Sequence, residues 1–278
     1  MKVKPMLAYK VNEKPIDYSD NVFMQPKLDG VRCLFTKDGA YSRNDKQWLN
    51  VAHIENELRP FFEEYPDMVL DGELYNHDLK NDFEKIISLV RKTKPTEQDR
   101  IESKALVQFH CYDFVSNINF GARNVLLGIL FSHFEFEHVV PVLTISKVTD
   151  HATANAIHAK FLSRGYEGSI LRLDKPYEQK RSYNLQKFKD FHDTEATIID
   201  YVPGKGKRTG TLGKFIMQDE DGIVFGCPPG KGFDHAKLAD ILANVQSYIG
   251  KTATFTYFER TKANSYRHPQ FKCIRNYE

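Results

Sequence analysis

The 278-residue sequence has little cysteine and no long hydrophobic run. Its four cysteines, Cys33, Cys111, Cys227 and Cys273, lie far apart. None has the paired spacing of a zinc site, which leaves free thiols in a reducing compartment as the expectation. No window approaches the ~18 consecutive apolar residues that a membrane helix needs. The opening MKVKPMLAYKVNEK carries early lysines but no apolar core of a secretory signal, so a cytoplasmic protein with no membrane partner is expected. No repeat or low-complexity tract interrupts the chain. Nucleotide loops of the common kinds are missing too. Gly213-Lys214 runs into Phe215 and Gly230-Lys231 into Gly232, so neither is a Walker A loop, and no G-x-G-x-x-G opens a helix. A P-loop enzyme and a Rossmann protein are excluded.

What is present is ordinary globular material. Hydrophobic residues make up 41% and charged residues 27%, which rules against disorder and a coiled coil. The net charge of +2 neither demands nor excludes a nucleic-acid partner. Residues 53–64 set Ile54, Leu58, Phe61 and Phe62 on one helical face. Further helices are expected over 81–92, capped by Asn81 or Asp82, over 119–136, and over 151–163 after Asp150. Between them run strand-like segments, among them VRCLFT, MVLDGELY, VQFHCYDFV and GSILRL.

The texture changes near residue 190. TEATIIDYV, KFIMQ, GIVFG, KTATFTYFE and FKCIRNY are five β-prone segments, with a helix expected over 234–248 between the third and fourth. This order matches the small Greek-key barrel called the OB-fold, which binds oligonucleotides, although pattern alone leaves other small β-barrels open. Within it GKGKRTGTLGK, residues 204–214, carries Lys205, Lys207, Arg208 and Lys214 with no acid. Drawn out as a hairpin it gives about five residues per arm, a reach of roughly 16 Å.

The most informative stretch is QPKLDGVR, Gln25 to Arg32, with Arg43 eleven residues on. Its tight turn presents Lys27 to a ligand. A lysine attacks phosphorus only when neutral, and nearby cations or a divalent metal favour that form. Downstream come DGEL (71–74), FHCYDFV (109–115), YEGSILR (166–172) and LQKFKDF (185–191). In the last, alternation puts Lys187 and Lys189 on one strand face.

The order lysine turn, acid, aromatic, acid, lysine pair and OB barrel resembles the covalent nucleotidyltransferase superfamily of ATP-dependent DNA ligases, RNA ligases and mRNA capping enzymes. KLDGVR is similar to its motif I, DGEL to motif III, CYDF to IIIa, EGSILR to IV and QKFKDF to V. PMLA, Pro5 to Ala8, resembles the segment before the nucleotide pocket in DNA ligases. RHPQFKCIR, Arg267 to Arg275, resembles motif VI of small viral ligases, with His268 in a position that is usually aromatic. The capping-enzyme R-x-D-K motif does not occur in the C-terminal segment 191–278, so the resemblance points to a minimal, viral- or phage-like ATP-dependent DNA ligase.

That resemblance implies an α+β chain. An ATP-grasp-like nucleotidyltransferase (adenylation) domain would span 1–190 and a small OB-fold β-barrel 191–278. It implies ATP and Mg²⁺ (or Mn²⁺), nicked double-stranded DNA as partner, and a monomer in the cytoplasm, or the host-cell cytoplasm if viral. Lys27 is the implied nucleophile. Gln25, Arg32, Glu73, Tyr112, Glu167, Lys187 and Lys189 would bind the nucleotide, Glu73 through the ribose hydroxyls and Tyr112 by stacking on adenine. Asp29 and Glu167 would organise the metal. Arg43 and Arg181, with Lys205, Lys207 and Arg208, would meet phosphates of the nick. Arg267 and Arg275 would orient pyrophosphate. Related minimal viral ligases carry a longer insertion where 204–214 lies, so this loop is expected to touch DNA on one side without encircling it. The alternatives are an RNA ligase or capping-type enzyme, and a non-catalytic nucleic-acid-binding protein of the same fold.

Overall fold

The computed structural model describes residues 3–11, 13–80, 82–188, 192–230, 232–257, 259–261 and 264–275. The chain divides into two units, Met1–Lys189 and Asp190–Glu278. The first unit holds two sheets. One runs in the order β1 (Leu7–Lys10), β9 (Arg181–Phe188), β8 (Gly168–Leu173), β2 (Val22–Lys27). The other runs β4 (Gly39–Tyr41), β3 (Val31–Thr36), β5 (Leu70–Tyr75), β6 (Gln108–Phe114), β7 (Val139–Pro141).

Helices cover the outer face of each sheet. α1 (Ala52–Glu64) buries Ile54, Leu58, Phe61 and Phe62, the four residues that the periodicity marks. The helix continues through Pro60, which lacks an N–H, because that apolar face packs into the core of the second sheet. α2 (Phe83–Val90) starts at Asp82, whose side chain accepts from the Lys85 amide; Asn81, the other expected cap, lies outside the described residues. α5 (His151–Ser163) starts at the expected Asp150 and packs Ala154 and Phe161 against Val22, Met24 and Leu171 of the first sheet.

Three elements differ from expectation. α3 (Glu97–Leu106) was not foreseen; its apolar face is weak, but Thr96 and Asp99 form a capping box at its start. α4 (Phe120–Phe131) ends five residues before the expected 136, and Phe134 and Phe136 then pack on the core from a non-helical segment. In the second unit α6 (His235–Ala243) stops where the Asn244 side chain turns back to Asp240 O at 3.1 Å, and a short 3₁₀ turn follows.

The second unit is a five-stranded sheet in the order β12 (Val224–Cys227), β11 (Leu212–Gln218), β10 (His192–Pro203), β13 (Thr252–Tyr257), β16 (Gln270–Ile274). A small hairpin of β14 (Glu259–Arg260) and β15 (Tyr266–Arg267) precedes the last strand. Phe215, Met217, Phe225, Phe255 and Phe271 form its core with Leu238 and Ile241 of α6. No ladder joins β12 to β16 among the described residues. Two backbone hydrogen bonds link the two edges instead, Phe271 N to Pro228 O at 2.8 Å and Gly230 N to Phe271 O at 2.9 Å.

Candidate active site

The lysine turn joins the two sheets of the first unit. Lys27 ends β2, and β3 of the other sheet begins four residues later at Val31. Gly30 is required between them. A Cβ there would stand 2.4 Å from the Leu74 carbonyl oxygen and 2.8 Å from Glu73 Cγ, so any side chain would push the turn off β5. Across the first sheet Lys27 pairs with Gly168, whose φ of +156° and closeness to Phe188 O (2.3 Å from a Cβ) also demand glycine. This pairing sets the preceding residue, Glu167, beside the lysine. The Glu167 amide donates to Lys27 O at 3.1 Å, and Lys27 Nζ donates to Glu167 Oε2. Glu167 is 5% exposed at its side chain and Lys27 22%.

The second sheet supplies Arg32, Glu73 and Tyr112 on adjacent strands. Arg32 and Glu73 are register partners. Tyr112 occupies the irregular step of β6 and donates its hydroxyl to Glu73 Oε2 at 3.4 Å. Burial pushes the Glu73 carboxyl up to about 7, against the opposing pull of Arg32 and Lys27. Burial also raises the Asp71 carboxyl, opposed by Arg32, which forks onto both its oxygens, with Nε to Oδ1 at 2.6 Å. Arg32 stands 5.1 Å from the centre of the Tyr112 ring.

Gln25 is 2% exposed and its side chain is fully engaged. It donates to Tyr112 O at 3.1 Å and to Thr144 Oγ1 at 2.9 Å, and its Oε1 accepts from Arg172 Nε at 2.7 Å. Lys187 lies in the same cross-strand row as Gln25 through Ile170, so both sit on one face of the sheet. Asp29 is in the turn itself. Lys189 lies outside the described residues. One compact region of the first unit thus gathers Lys27, Gln25, Arg32, Glu73, Tyr112 and Glu167.

The remaining candidates divide between the two units. Arg43 and Arg181 line a surface cleft of about 560 Å³ with Lys4 and Lys180. Arg267 is in β15 of the second unit. Arg275, also in that unit, pairs with Glu195 at 2.8 Å. Lys205, Lys207 and Arg208 are exposed, but the expected hairpin is replaced by a compact loop. A 3₁₀ turn occupies Gly206–Arg208, Gly204 N donates to Thr211 O at 2.8 Å, and residues 212–214 already belong to β11. Local turns satisfy these backbone groups at once, whereas a projecting arm leaves them to water.

Residues 5–189 match the family described as ATP dependent DNA ligase domain, and residues 203–275 match the DNA ligase OB-like domain. The chain belongs to the ATP-dependent DNA ligase family. It is similar to the DNA ligase of African swine fever virus (strain Badajoz 1971 Vero-adapted), with 29% identity over 76% of this chain and 52% of that one. It therefore spans about half the length of the viral relatives it matches. A DNA ligase of Haemophilus influenzae is 27% identical over 78% of this chain and 75% of its own. Among solved structures a Lig E DNA ligase shares the fold, with a TM-score of 0.81 and 24% identity, over 99% of this chain and 100% of that one.

Sequence reasoning missed part of this candidate site. Arg172, Asp113, Arg123 and Tyr177 form its buried polar floor with Asp71. Asp71, Asp113 and Arg172 stand within DGEL, CYDF and EGSILR, but their pairing is not marked in the local sequence, because a charged residue in a strand reads as solvated until its partner is known. Among the described residues no group of three or more His, Cys, Asp or Glu is arranged to hold a metal ion, and no helix is long and apolar enough to cross a membrane.

Proposed function

We propose that this chain seals nicks in duplex DNA at the expense of ATP through a lysyl-AMP at Lys27. The observation that carries the reading is the double tie between Lys27 and Glu167, formed within the segment that matches the ligase family. In the first step the Lys27 amine bonds to the α-phosphorus of ATP and the α–β bridging bond breaks, releasing pyrophosphate. The ammonium must first lose a proton, and Glu167 Oε2 is the acceptor already bonded to it. AMP then passes to the 5′-phosphate of the nick, and the 3′-hydroxyl displaces it. These steps ask for alignment and charge stabilisation more than for acid–base work.

The adenylation domain is assigned to 1–190 and the OB-fold domain to 191–278. Glu73 would accept from the ribose hydroxyls, Tyr112 would stack on adenine, and Lys187 and Lys189 would hold the AMP phosphate. Gln25, with both amide hydrogens committed, serves the nucleotide by fixing Tyr112. Arg43, Arg181 and the loop cations would meet the phosphates of the nick, while Arg267 and Arg275 would meet pyrophosphate.

Mg²⁺ or Mn²⁺ fits the donor set. Among the described residues the carboxylates near Lys27 do not make an all-protein cage, but Asp29 and Glu167 can supply one or two oxygens, and phosphate oxygens with water would complete a magnesium site. When bound, the ion would neutralise charge on the phosphates. The protein is taken as a monomer reading backbone rather than sequence, with salt-sensitive binding.

Incubation with labelled ATP should give a denaturation-stable protein–AMP adduct, and addition of nicked duplex DNA should consume it and seal the nick. An adduct formed from GTP instead, or discharged only on nicked RNA, would point to the capping or RNA-ligase chemistry. Binding of DNA without any adduct would leave a non-catalytic module.

A further inference from the structure

Two guanidiniums stand beside the Tyr112 ring, and only one of them, Arg32, carries an expected role, although the second ends the EGSILR segment. The other is Arg172, 3% exposed, in the middle of β8. Its central carbon is 5.4 Å from the ring centre. Its Nε donates to Gln25 Oε1 at 2.7 Å and its Nη1 to Asp113 Oδ2 at 2.7 Å. Gln25 in turn donates to the backbone oxygen of Tyr112. One arginine therefore holds Tyr112 from two directions, its ring directly and its backbone through Gln25.

The anchor of this arrangement is rigid. Asp113, 1% exposed, accepts a fork from Arg123 at 2.7 and 3.0 Å and the Phe114 amide at 2.9 Å, besides Arg172. Because Arg123 compensates its charge, Asp113 does not depend on Arg172 for a partner. Burying a guanidinium is costly and by itself weak support for stability. Its geometry here has a different use. Nε and Nη1 reach two acceptors from different strands, which a single lysine nitrogen cannot do with the same fixed angles.

We propose that Arg172 is a positioning residue for the nucleotide base, fixing through Gln25 and Asp113 the place and tilt of the Tyr112 platform. The proposal rests on the reading of Tyr112 as the surface on which the base stacks.

The test uses the full chain and single-turnover transfer of AMP from ATP to Lys27, followed across ATP concentrations. In Arg172→Met the half-saturating ATP concentration should rise roughly tenfold, the scale of one charge-assisted hydrogen bond. The rate at saturating ATP should stay within about twofold, as befits an interaction made equally before and during reaction. Arg172→Lys should behave like Arg172→Met. Inhibition by inorganic tripolyphosphate, which has phosphates and no base, should be unchanged, whereas inhibition by adenosine should weaken. A merely structural role would weaken both inhibitors alike, and that result overturns the proposal, as does an unmoved half-saturation in a folded variant. Tyr112→Leu separates the two layers of the argument. If its half-saturation does not move, the platform reading fails; if it moves and that of Arg172→Met does not, only the role of Arg172 fails. Should Arg172→Met not fold, Gln25→Leu cuts the same link while sparing the Arg172–Asp113 pair, and an unchanged half-saturation there overturns the proposal equally.

Discussion

Lys27 and Glu167, 140 residues apart, are tied twice, once through their backbones and once through their side chains. The backbone bond closes the antiparallel pair of β2 and β8 at the turn, so the two side chains leave the sheet at the same place. Position and chemistry are thereby set by one register.

Lys27→Ala should abolish the protein–AMP adduct while leaving the thermal unfolding curve close to that of the parent, because no other side chain offers a nitrogen at that turn. Lys27→Arg should fail as completely, since guanidinium stays protonated at any working pH. Intact-mass measurement after incubation with ATP decides; an adduct in either variant removes Lys27 from the role.

The Glu73 carboxyl links stability to pH. Burial raises it from the ordinary 4.5 to about 7, so its contribution to stability is full below pH 4.5 and is lost as pH climbs through 7. Glu73→Gln cannot ionise. Its denaturant midpoint should therefore gain on the parent between about pH 5 and pH 8. Parallel profiles would show that the carboxyl is not held up by burial.

Asp113 neutralises two buried arginines, Arg123 and Arg172. Asp113→Ala strands both, and urea unfolding should report a loss of about 3–5 kcal/mol. A loss below about 1 kcal/mol, the range of an exposed pair, would mean that the site is wetter than its burial indicates.

Much of this architecture was legible and some of it could not be. α1 follows directly from periodicity, because it buries one continuous face, and β3 and β8 coincide with the β-prone segments VRCLFT and GSILRL, although each buries residues on both faces. The motif residues Lys27, Glu73, Tyr112 and Glu167 converge as their order suggests. The pairing within the arginine–aspartate floor could not be read, since Arg172 and Asp113 lie 59 residues apart even though each stands within a motif segment. α3 escaped because its signal is a cap, Thr96 with Asp99, rather than a hydrophobic stripe.

Removing both motif-VI candidates, Arg267→Ala with Arg275→Ala, should slow self-adenylation by roughly a hundredfold or more, the scale on which one preorganised charge contact acts in a transition state. Sealing of a pre-adenylated nick should suffer far less, since pyrophosphate takes no part in it. Rapid-quench comparison of the two reactions checks this, and equal losses in both would place the arginines elsewhere in the cycle.

Changing Lys205, Lys207 and Arg208 together to alanine should weaken binding to nicked duplex and flatten its salt dependence by about 0.9 in slope per lost phosphate contact. Self-adenylation should hold. Titrations at several salt concentrations give the slope directly; an unaltered slope would move the loop's purpose away from DNA.

The bond from Gly204 N to Thr211 O makes the entrance and exit of that loop neighbours. A segment of any length can leave the sheet at Gly204 and rejoin it at Thr211 without disturbing β10 or β11, and each doubling of its length adds only about 0.6 kcal/mol of closure entropy. The same corner that makes this loop short is thus a ready graft point, where a longer arm, a reporter peptide or a second binding module can be carried at almost no expense to the sheet beneath it.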